Sequence, residues 1–192
     1  WEVKFVDYTA DPMSRRYYYR ISSRDSCGSL DTISNLATNI LLNVEAVGNL
    51  TCALNWTPYR DFDGGVEEYE IYRSSDGGNS FNYVTSTLDT GFIDDIKPYS
   101  NSKGKFCYYI KAIAADGIIP WRDEFGMKFN ARSNVACAVH KARLWFPSAF
   151  NPNSDVVENR VWKPQGVFAR PDSYTLFIMD RWGQEVFRTT TI

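Results

Sequence analysis

Apolar and polar residues alternate with a period close to two along most of the chain. In one stretch Leu50, Cys52, Leu54 and Trp56 share a face, and shorter alternating stretches occur at Val3 to Asp7, Tyr69 to Ile71, Tyr108 to Ala112 and Leu176 to Asp180. Because successive side chains of a strand point to opposite faces, this pattern predicts half-buried strands. Turn-forming Asp-Gly and Trp-Gly pairs separate the stretches, as is typical of antiparallel β-sandwiches. The best helix candidate, Asn35 to Glu45, lacks an amphipathic stripe, and we predict a strand plus a linker there.

An internal repeat divides the chain. Tyr19-Arg20-Ile21-Ser22 is similar to Tyr108-Tyr109-Ile110-Lys111, and a Ser-Asn pair follows each copy. The offset, roughly 90 residues, is the length of one small sandwich domain. Only the second copy is preceded by further predicted strands. We therefore expect the last strands of one module at residues 1–44, a complete module at 45–142 and a different segment at 143–192.

The complete module resembles a fibronectin type III domain. The resemblance is carried by Leu54-Asn55-Trp56, by Tyr69 to Arg73, by Tyr108 to Ile113 and by Ser133-Asn134-Val135, and it covers about half of the chain. It implies a β-sandwich in which Trp56 is the large central aromatic and Tyr108, Ile110 and Ala112 face it from the opposite sheet. The fold class we expect is all-β, with tandem immunoglobulin-like or fibronectin-like sandwiches followed by a partial sandwich.

The last segment carries a second set of motifs. The first motif contains Phe146, Pro147, Phe150, Pro152 and Asn153. It is followed along the chain by Val161-Trp162-Lys163-Pro164 and then by Tyr174 to Met179. The last motif is Arg181-Trp182-Gly183. These elements, in this order and at similar spacing, resemble the gliding-motility-associated C-terminal domain. That family is the type B sorting domain of the Bacteroidetes type IX secretion system. Two departures are visible: the acidic loop at 154–159 has no glycine, and the family domain continues beyond the equivalent of Ile192. Any cation site in that loop, and the strands that close the domain, are therefore left open.

The second resemblance implies a sorting signal rather than a catalytic activity. It predicts export to the outer cell surface, with the type IX translocon, its shuttle proteins and an outer-membrane barrel of the PorP/SprF type as partners. Residues 1–142 would then be spacer modules of a large adhesin-like protein, and a glycan or another surface ligand is a further candidate partner. The alternative is an accessory or carbohydrate-binding module of a secreted glycosidase or protease.

The composition and charge of the chain restrict the classes of partner that it can be expected to bind. The formal net charge is −2, the pI is about 5.5 and aromatic residues make up 16 % of the chain. A chain with this charge lacks the basic field that holds nucleic acid. The aromatic content favours strands. No apolar run approaches the roughly 20 residues that span a bilayer.

Four cysteines, at positions 27, 52, 107 and 137, form no CxxC pair. In the fibronectin-like arrangement Cys107 and Cys137 lie on neighbouring strands, and we predict a disulfide between them. It would contribute roughly 3 kcal/mol and indicate an oxidising compartment. The alternative is two free thiols, and pairing of Cys27 with Cys52 stays open.

Candidate chemistry is sparse. His140 is the one histidine, and we predict that it is an exposed linker residue. A Ser-His-Asp triad, a Cys-His pair or a zinc site would have to use this residue. The carboxylates of Glu68 and Glu70 are expected on an outer strand face, and a calcium site at Asp61, Asp63 or Asp155 has no EF-hand spacing. We therefore expect no enzyme activity, no cofactor and no metal. The insert Ile118 to Phe129 is predicted to be either an interaction loop or a tucked-in hydrophobic flap.

Overall fold

The computed structural model describes residues 5–34, 36–48, 50–117, 126–162, 164–169 and 175–190. The described chain is all-β with antiparallel pairing, which confirms the fold class predicted from the alternation. Its strands are β1 (Tyr18–Tyr19), β2 (Ser22–Arg24), β3 (Leu30–Ile33), β4 (Ala37–Thr38), β5 (Leu42–Val47), β6 (Thr51–Trp56), β7 (Val66–Ser74), β8 (Asn82–Thr87), β9 (Gly91–Asp95), β10 (Lys105–Ala114), β11 (Asn130–Arg132), β12 (Ala136–Val139), β13 (Arg143–Trp145), β14 (Gln165–Val167), β15 (Leu176–Met179) and β16 (Glu185–Thr189). Two 3-10 turns lie at Lys97–Tyr99 and Val157–Arg160, and neither approaches the length or apolarity of a bilayer-spanning helix.

The described residues between Ile40 and His140 form a two-sheet sandwich. One sheet has the order β5-β6-β9, and the other has the order β8-β7-β10, with β12 and β11 pairing successive parts of β10. Ser133 joins β11 to β12, because its backbone amide donates to the Ile110 carbonyl and its hydroxyl accepts from the Ile110 amide. The two short strands thus act as one interrupted edge strand.

The inner faces of both sheets carry the predicted apolar residues. Cys52, Leu54 and Trp56 are buried on β6, and Tyr108 and Ile110 are fully buried on β10. The Trp56 ring packs edge-on against the ring of Tyr69, with 5.6 Å between centroids. Burying one such aromatic is worth roughly 1.5–3 kcal/mol, so this face holds the two sheets together.

One end of the core is polar. Arg73 on β7 donates to both carboxylate oxygens of Asp94 on β9, at 2.9 and 2.8 Å, and the Tyr108 hydroxyl donates to Asp94 at 2.8 Å. The Arg73 guanidinium also lies 4.1 Å from the centroid of the Tyr99 ring. Because Arg73 and Asp94 come from opposite sheets, this network fixes how the sheets face each other.

The sandwich begins earlier than residue 45. Ile40, Leu42 and Val44 are buried in its core. The Leu42 amide donates to the side-chain oxygen of Asn134, and the side-chain nitrogen of Asn134 donates to the Leu42 carbonyl. The proposed boundary after residue 44 cuts through β5, so residues 40–44 belong with the sandwich. The sequence placed the boundary too late because Asn35 to Glu45 carries no turn signal to mark the change.

The chain before the sandwich forms two short ribbons, β1 with β4 and β2 with β3. None of the described residues before Ile40 is buried. Residues 5–7 form no strand, although the alternation at Val3 to Asp7 predicted one, and Phe5 is 80 % exposed. Among the described residues no strand pairs with residues 5–7, and a strand forms only where it has a partner.

The chain after the sandwich forms two hairpins, β13 with β14 and β15 with β16. The first is anchored through Phe168, which follows β14. Its ring is 3 % exposed and lies 5.8 Å from the ring of Phe106 in the sandwich core. Its amide donates to the Ser100 carbonyl at 2.7 Å. The terminal segment is therefore docked on the end of the sandwich rather than merely tethered to it.

Candidate functional site

The loop that carries Phe146, Pro147, Phe150, Pro152 and Asn153 lies between β13 and β14 and is largely exposed. Phe146 and Phe150 are each more than half exposed. Two interactions with Trp162 hold the loop: its ring stacks on Phe146 at 6.1 Å, and its indole N–H donates to the Pro147 carbonyl at 2.8 Å.

The turn of this loop is shaped by asparagine side chains and proline. The amide of Asn153 donates to the side-chain oxygen of Asn151, while Pro152 lies between them. Such an Asx turn mimics a backbone turn, and its three residues are exposed. The loop is thus ordered by local contacts and leaves two phenylalanine rings partly uncovered.

Arg181, Trp182 and Gly183 form the tip of the β15–β16 hairpin. The Asp180 carboxylate accepts from the amides of Trp182 and Gln184, at 2.8 and 2.9 Å. Gly183 has φ of +82°, a conformation that side chains other than glycine rarely adopt. Trp182 is 75 % exposed, and its ring is covered on one side by the Arg181 guanidinium at 4.1 Å. Asp180 and Gly183 therefore build a turn that holds a large aromatic out in solvent.

An open apolar groove connects the loop to the second hairpin. It has a volume of about 670 Å³ and is lined by Phe150, Trp162, Leu176, Phe177, Ile178, Met179 and Phe187. A second cavity of about 550 Å³ also has Phe150 in its lining, together with residues that include Pro147, Val157 and Val161. Of the eight predicted motif residues, the structure brings Phe150 to the groove and Pro147 to the cavity beside it, while Trp182 stands apart at the hairpin tip.

His140 is not the exposed linker residue that the sequence predicted. Its ring is half-buried between Phe106 and Phe168, and its Nε2 lies 3.3 Å from the Sγ of Cys52. Its amide also donates to the Gly104 carbonyl at 2.8 Å. The interpretation failed because Phe168, which covers His140, belongs to a distant segment that no local pattern connects to it.

The Cys52–His140 pair does not have the character of a catalytic dyad. Burial raises the pKa of the Cys52 thiol, whereas nucleophilic cysteines need a lowered pKa. Burial, and then the positive charge of Arg143, lower the pKa of His140. Both groups therefore favour their neutral forms, as suits a core contact.

The four cysteines form one disulfide and leave two free thiols. Cys107 and Cys137 are directly opposite each other on β10 and β12, and a disulfide joins them. Cys27 is an exposed free thiol and Cys52 a buried one, so these two are not paired.

Two of the carboxylates considered as catalytic or calcium-binding groups, Glu70 and Asp61, have local partners. Glu70 accepts from the Tyr72 hydroxyl at 2.9 Å and lies 3.6 Å from the Lys111 ammonium. Asp61 accepts from the Thr38 hydroxyl. Within the described ranges, no three His, Cys, Asp or Glu side chains are grouped so that they could hold a metal ion.

An aromatic cluster on the outer face of the sandwich bears on the carbohydrate-binding alternative. Tyr72 stacks on Tyr109 with 4.7 Å between centroids, and the Arg132 guanidinium lies 3.8 Å from the centroid of Tyr109. Strands β7 and β11 flank β10 on opposite sides, so both faces of the Tyr109 ring are covered. Burial, and then the hydrogen bond to Glu70, raise the pKa of Tyr72 to about 12. The cluster is closed on itself and offers no flat, open ring of Tyr109 to a sugar.

Most of the insert between β10 and β11 lies outside the described residues, which resume at Gly126. The choice between an interaction loop and a flap there stays a prediction. A comparison with protein-family models finds no match, and a comparison with curated proteins finds none either.

Proposed function

We propose that this chain is a non-catalytic region of a large bacterial surface protein, in which the sandwich is a spacer and residues 143–192 are an export and attachment signal of the type IX kind. The observation that carries the proposal is the exposure of the motif residues. Trp182 is 75 % exposed on a turn built by Asp180 and Gly183. A motif that served only to fill a core would bury its tryptophan, whereas a motif that a receptor recognises presents it.

The groove supports the same proposal by offering a place to dock. The β15–β16 hairpin is a two-stranded sheet within the described residues, and Phe177, Ile178 and Phe187 are 40 % exposed or more. Two-stranded hairpins gain stability when another strand or layer covers their apolar side. A translocon shuttle or an outer-membrane barrel that adds a strand to this sheet would supply that cover.

The proposal is tested by surface display of the full-length protein in a bacterium with a type IX system. Deleting residues 144 onward should leave the protein in the periplasm. Trp182→Ala should reduce surface display about tenfold, as truncation of an interface hot spot does, while thermal unfolding stays unchanged. Leu88→Ala is the matched control, because Leu88 is 74 % exposed on the sandwich. Normal display of the truncated protein, or an equal loss with Leu88→Ala, would overturn the sorting role.

A further inference from the structure

The contact that docks the terminal segment on the sandwich is built around the ring of His140. This ring lies between the rings of Phe106 on β10 and Phe168, at centroid distances of 6.1 and 5.4 Å. Its Nε2 is 3.3 Å from the Sγ of Cys52 on β6. His140 is also the first residue after β12. It therefore lies where the sandwich, the connecting segment and the β13–β14 hairpin meet.

The backbone fits closely around this contact. The Phe168 amide donates to the Ser100 carbonyl at 2.7 Å. The His140 amide donates to the Gly104 carbonyl at 2.8 Å. Gly104 has φ of +73°, and a Cβ there would lie 2.8 Å from the His140 carbonyl oxygen and 3.0 Å from the Phe168 Cβ. Because three chain segments meet within contact distance, the positions of His140 and Phe168 depend on each other.

The titratable and charged groups beside the ring do not favour its protonation. β6 presents the Cys52 thiol, which stays neutral because burial raises its pKa, and the carboxylate of Asp94 on β9 is paired at the polar end of the core. Lys141 and Arg143 line one cleft with His140, while β10 and the residue after β14 present phenylalanine rings. Burial, and then the positive charge of Arg143, lower the pKa of His140. Protonation therefore costs more in the docked arrangement than in water.

We propose that this contact is an acid-sensitive switch, in which protonation of His140 releases Phe168 and the β13–β14 hairpin from a sandwich that stays folded. Water solvates the imidazolium once the phenylalanine ring no longer covers it, so the undocked arrangement takes up the proton more readily. The sandwich does not need to open, because most of its buried residues lie on its own strands. The switch is built from contacts between two parts of the chain, and it stands whether or not residues 143–192 are a sorting signal.

The direction and the size of the effect follow from proton linkage. The contribution of the neutral ring to docking is fully present above pH 6.5, the ordinary pKa of histidine, and is lost as the pH falls through the lowered pKa of the docked ring. Between these two values, each pH unit should raise the ratio of undocked to docked chains about tenfold. Below the lower value both arrangements are protonated, and the ratio should stay constant.

Amide hydrogen exchange of the whole chain tests the switch from about pH 8 to about pH 5, where ordinary carboxylates stay largely ionised. Each exchange rate is divided by the intrinsic rate at that pH. The Phe168 amide should lose protection below pH 6.5, whereas the Ile110 amide, which donates to the Ser133 hydroxyl in the core, should keep it. His140 is the single histidine, so no other imidazole titrates in this range. His140→Phe keeps a ring at the contact, cannot titrate and should abolish the loss.

Phe168→Ala gives the reciprocal measurement and leaves the titrating residue in place. Without the covering ring, the NMR titration of His140 should move upward towards 6.5. Phe177→Ala, at a half-exposed position of the β15–β16 hairpin, is the matched control and should leave that titration unchanged. The switch is excluded if Phe168 protection is constant over the pH range or falls equally in His140→Phe. It is also excluded if Ile110 loses protection in parallel, or if Phe168→Ala does not move the titration of His140.

Discussion

Phe168 gives the sharpest test of how the terminal segment is attached. The residue is buried against Phe106 and His140, yet its φ is +55°, in the left-handed region that favours glycine. Two effects thus oppose each other at one position. The ring stabilises the docked state, and the backbone conformation costs free energy. Replacing Phe168 by alanine removes the ring and keeps the backbone cost, whereas replacing it by glycine removes both.

The expected magnitudes follow from these two effects. Loss of a buried phenylalanine ring typically costs about 3–5 kcal/mol. A left-handed conformation costs a residue with a Cβ roughly 1–2 kcal/mol, and glycine escapes it. Phe168→Ala should therefore be the least stable variant, and Phe168→Gly should be more stable than it by about 1 kcal/mol. At an ordinary strand position the order is the reverse, because glycine there is the worse residue.

Guanidinium unfolding of the wild type and both variants measures the order. Hydrogen exchange of the Phe168 and His140 amides, which donate to Ser100 and Gly104, shows whether the loss is local to the docking site. Phe177→Ala, at a half-exposed position of the β15–β16 hairpin, is the control and should change stability by about 0.5 kcal/mol or less. A glycine variant less stable than the alanine variant, or an alanine variant as stable as the wild type, would refute the reasoning.

Three further predictions concern the sandwich. Reducing the Cys107–Cys137 disulfide, which closes a loop with a sequence separation of 30, should lower the free energy of unfolding by roughly 3–4 kcal/mol; denaturation with and without reductant checks this, and equal midpoints would contradict it. Asp94→Ala leaves the Arg73 charge without its carboxylate partner and should lower the free energy of unfolding by about 3–5 kcal/mol. Tyr108→Phe removes one hydrogen bond to Asp94 and should lower it by about 1–3 kcal/mol. Calorimetry that finds Tyr108→Phe the less stable variant would contradict this account of the network. Because the pKa of His140 is lowered from 6.5 in the folded chain, its contribution to stability is present above that pH and lost as the pH falls through the folded pKa. His140→Asn should remove this part of the pH dependence of the melting temperature. If the variant has the same pH dependence as the wild type, His140 does not contribute to it.

The sandwich was predictable because its strands repeat one local rule. Alternation placed Leu54, Trp56 and Ile110 on inner faces, and all three are buried. The same rule applied to the first copy of the repeat gives a different outcome. Ile21 corresponds to Ile110, but it is 77 % exposed, since no second sheet in the described part of the chain covers it. Alternation thus identifies which face of a strand is apolar, and only the presence of a partner sheet decides whether that face is buried.

Contacts between distant segments were beyond the sequence pattern. Phe168 follows a three-residue strand with no periodicity, and nothing local indicates that its ring enters a core built from another part of the chain. His140 was misjudged for the same reason. The exposure of Trp182 had a local signal in the Asp-Arg-Trp-Gly turn, whereas the groove beside Phe150 needs two separate elements to come together.

The place where the disulfide crosses β10 and β12 governs how the chain bears tension. Once the contact between Phe168 and the sandwich has broken, a pull on the terminal segment reaches the sandwich at the end of β12, next to His140, and peels that strand away from β10. Only the pairs Lys105–Val139 and Phe106–Ala138 lie between this point and the Cys107–Cys137 bond. Unzipping therefore halts after those two pairs, and further load passes through sulfur atoms to the central strand. In the proposed role as a spacer, the disulfide would keep β12 attached to β10 when the terminal segment is pulled.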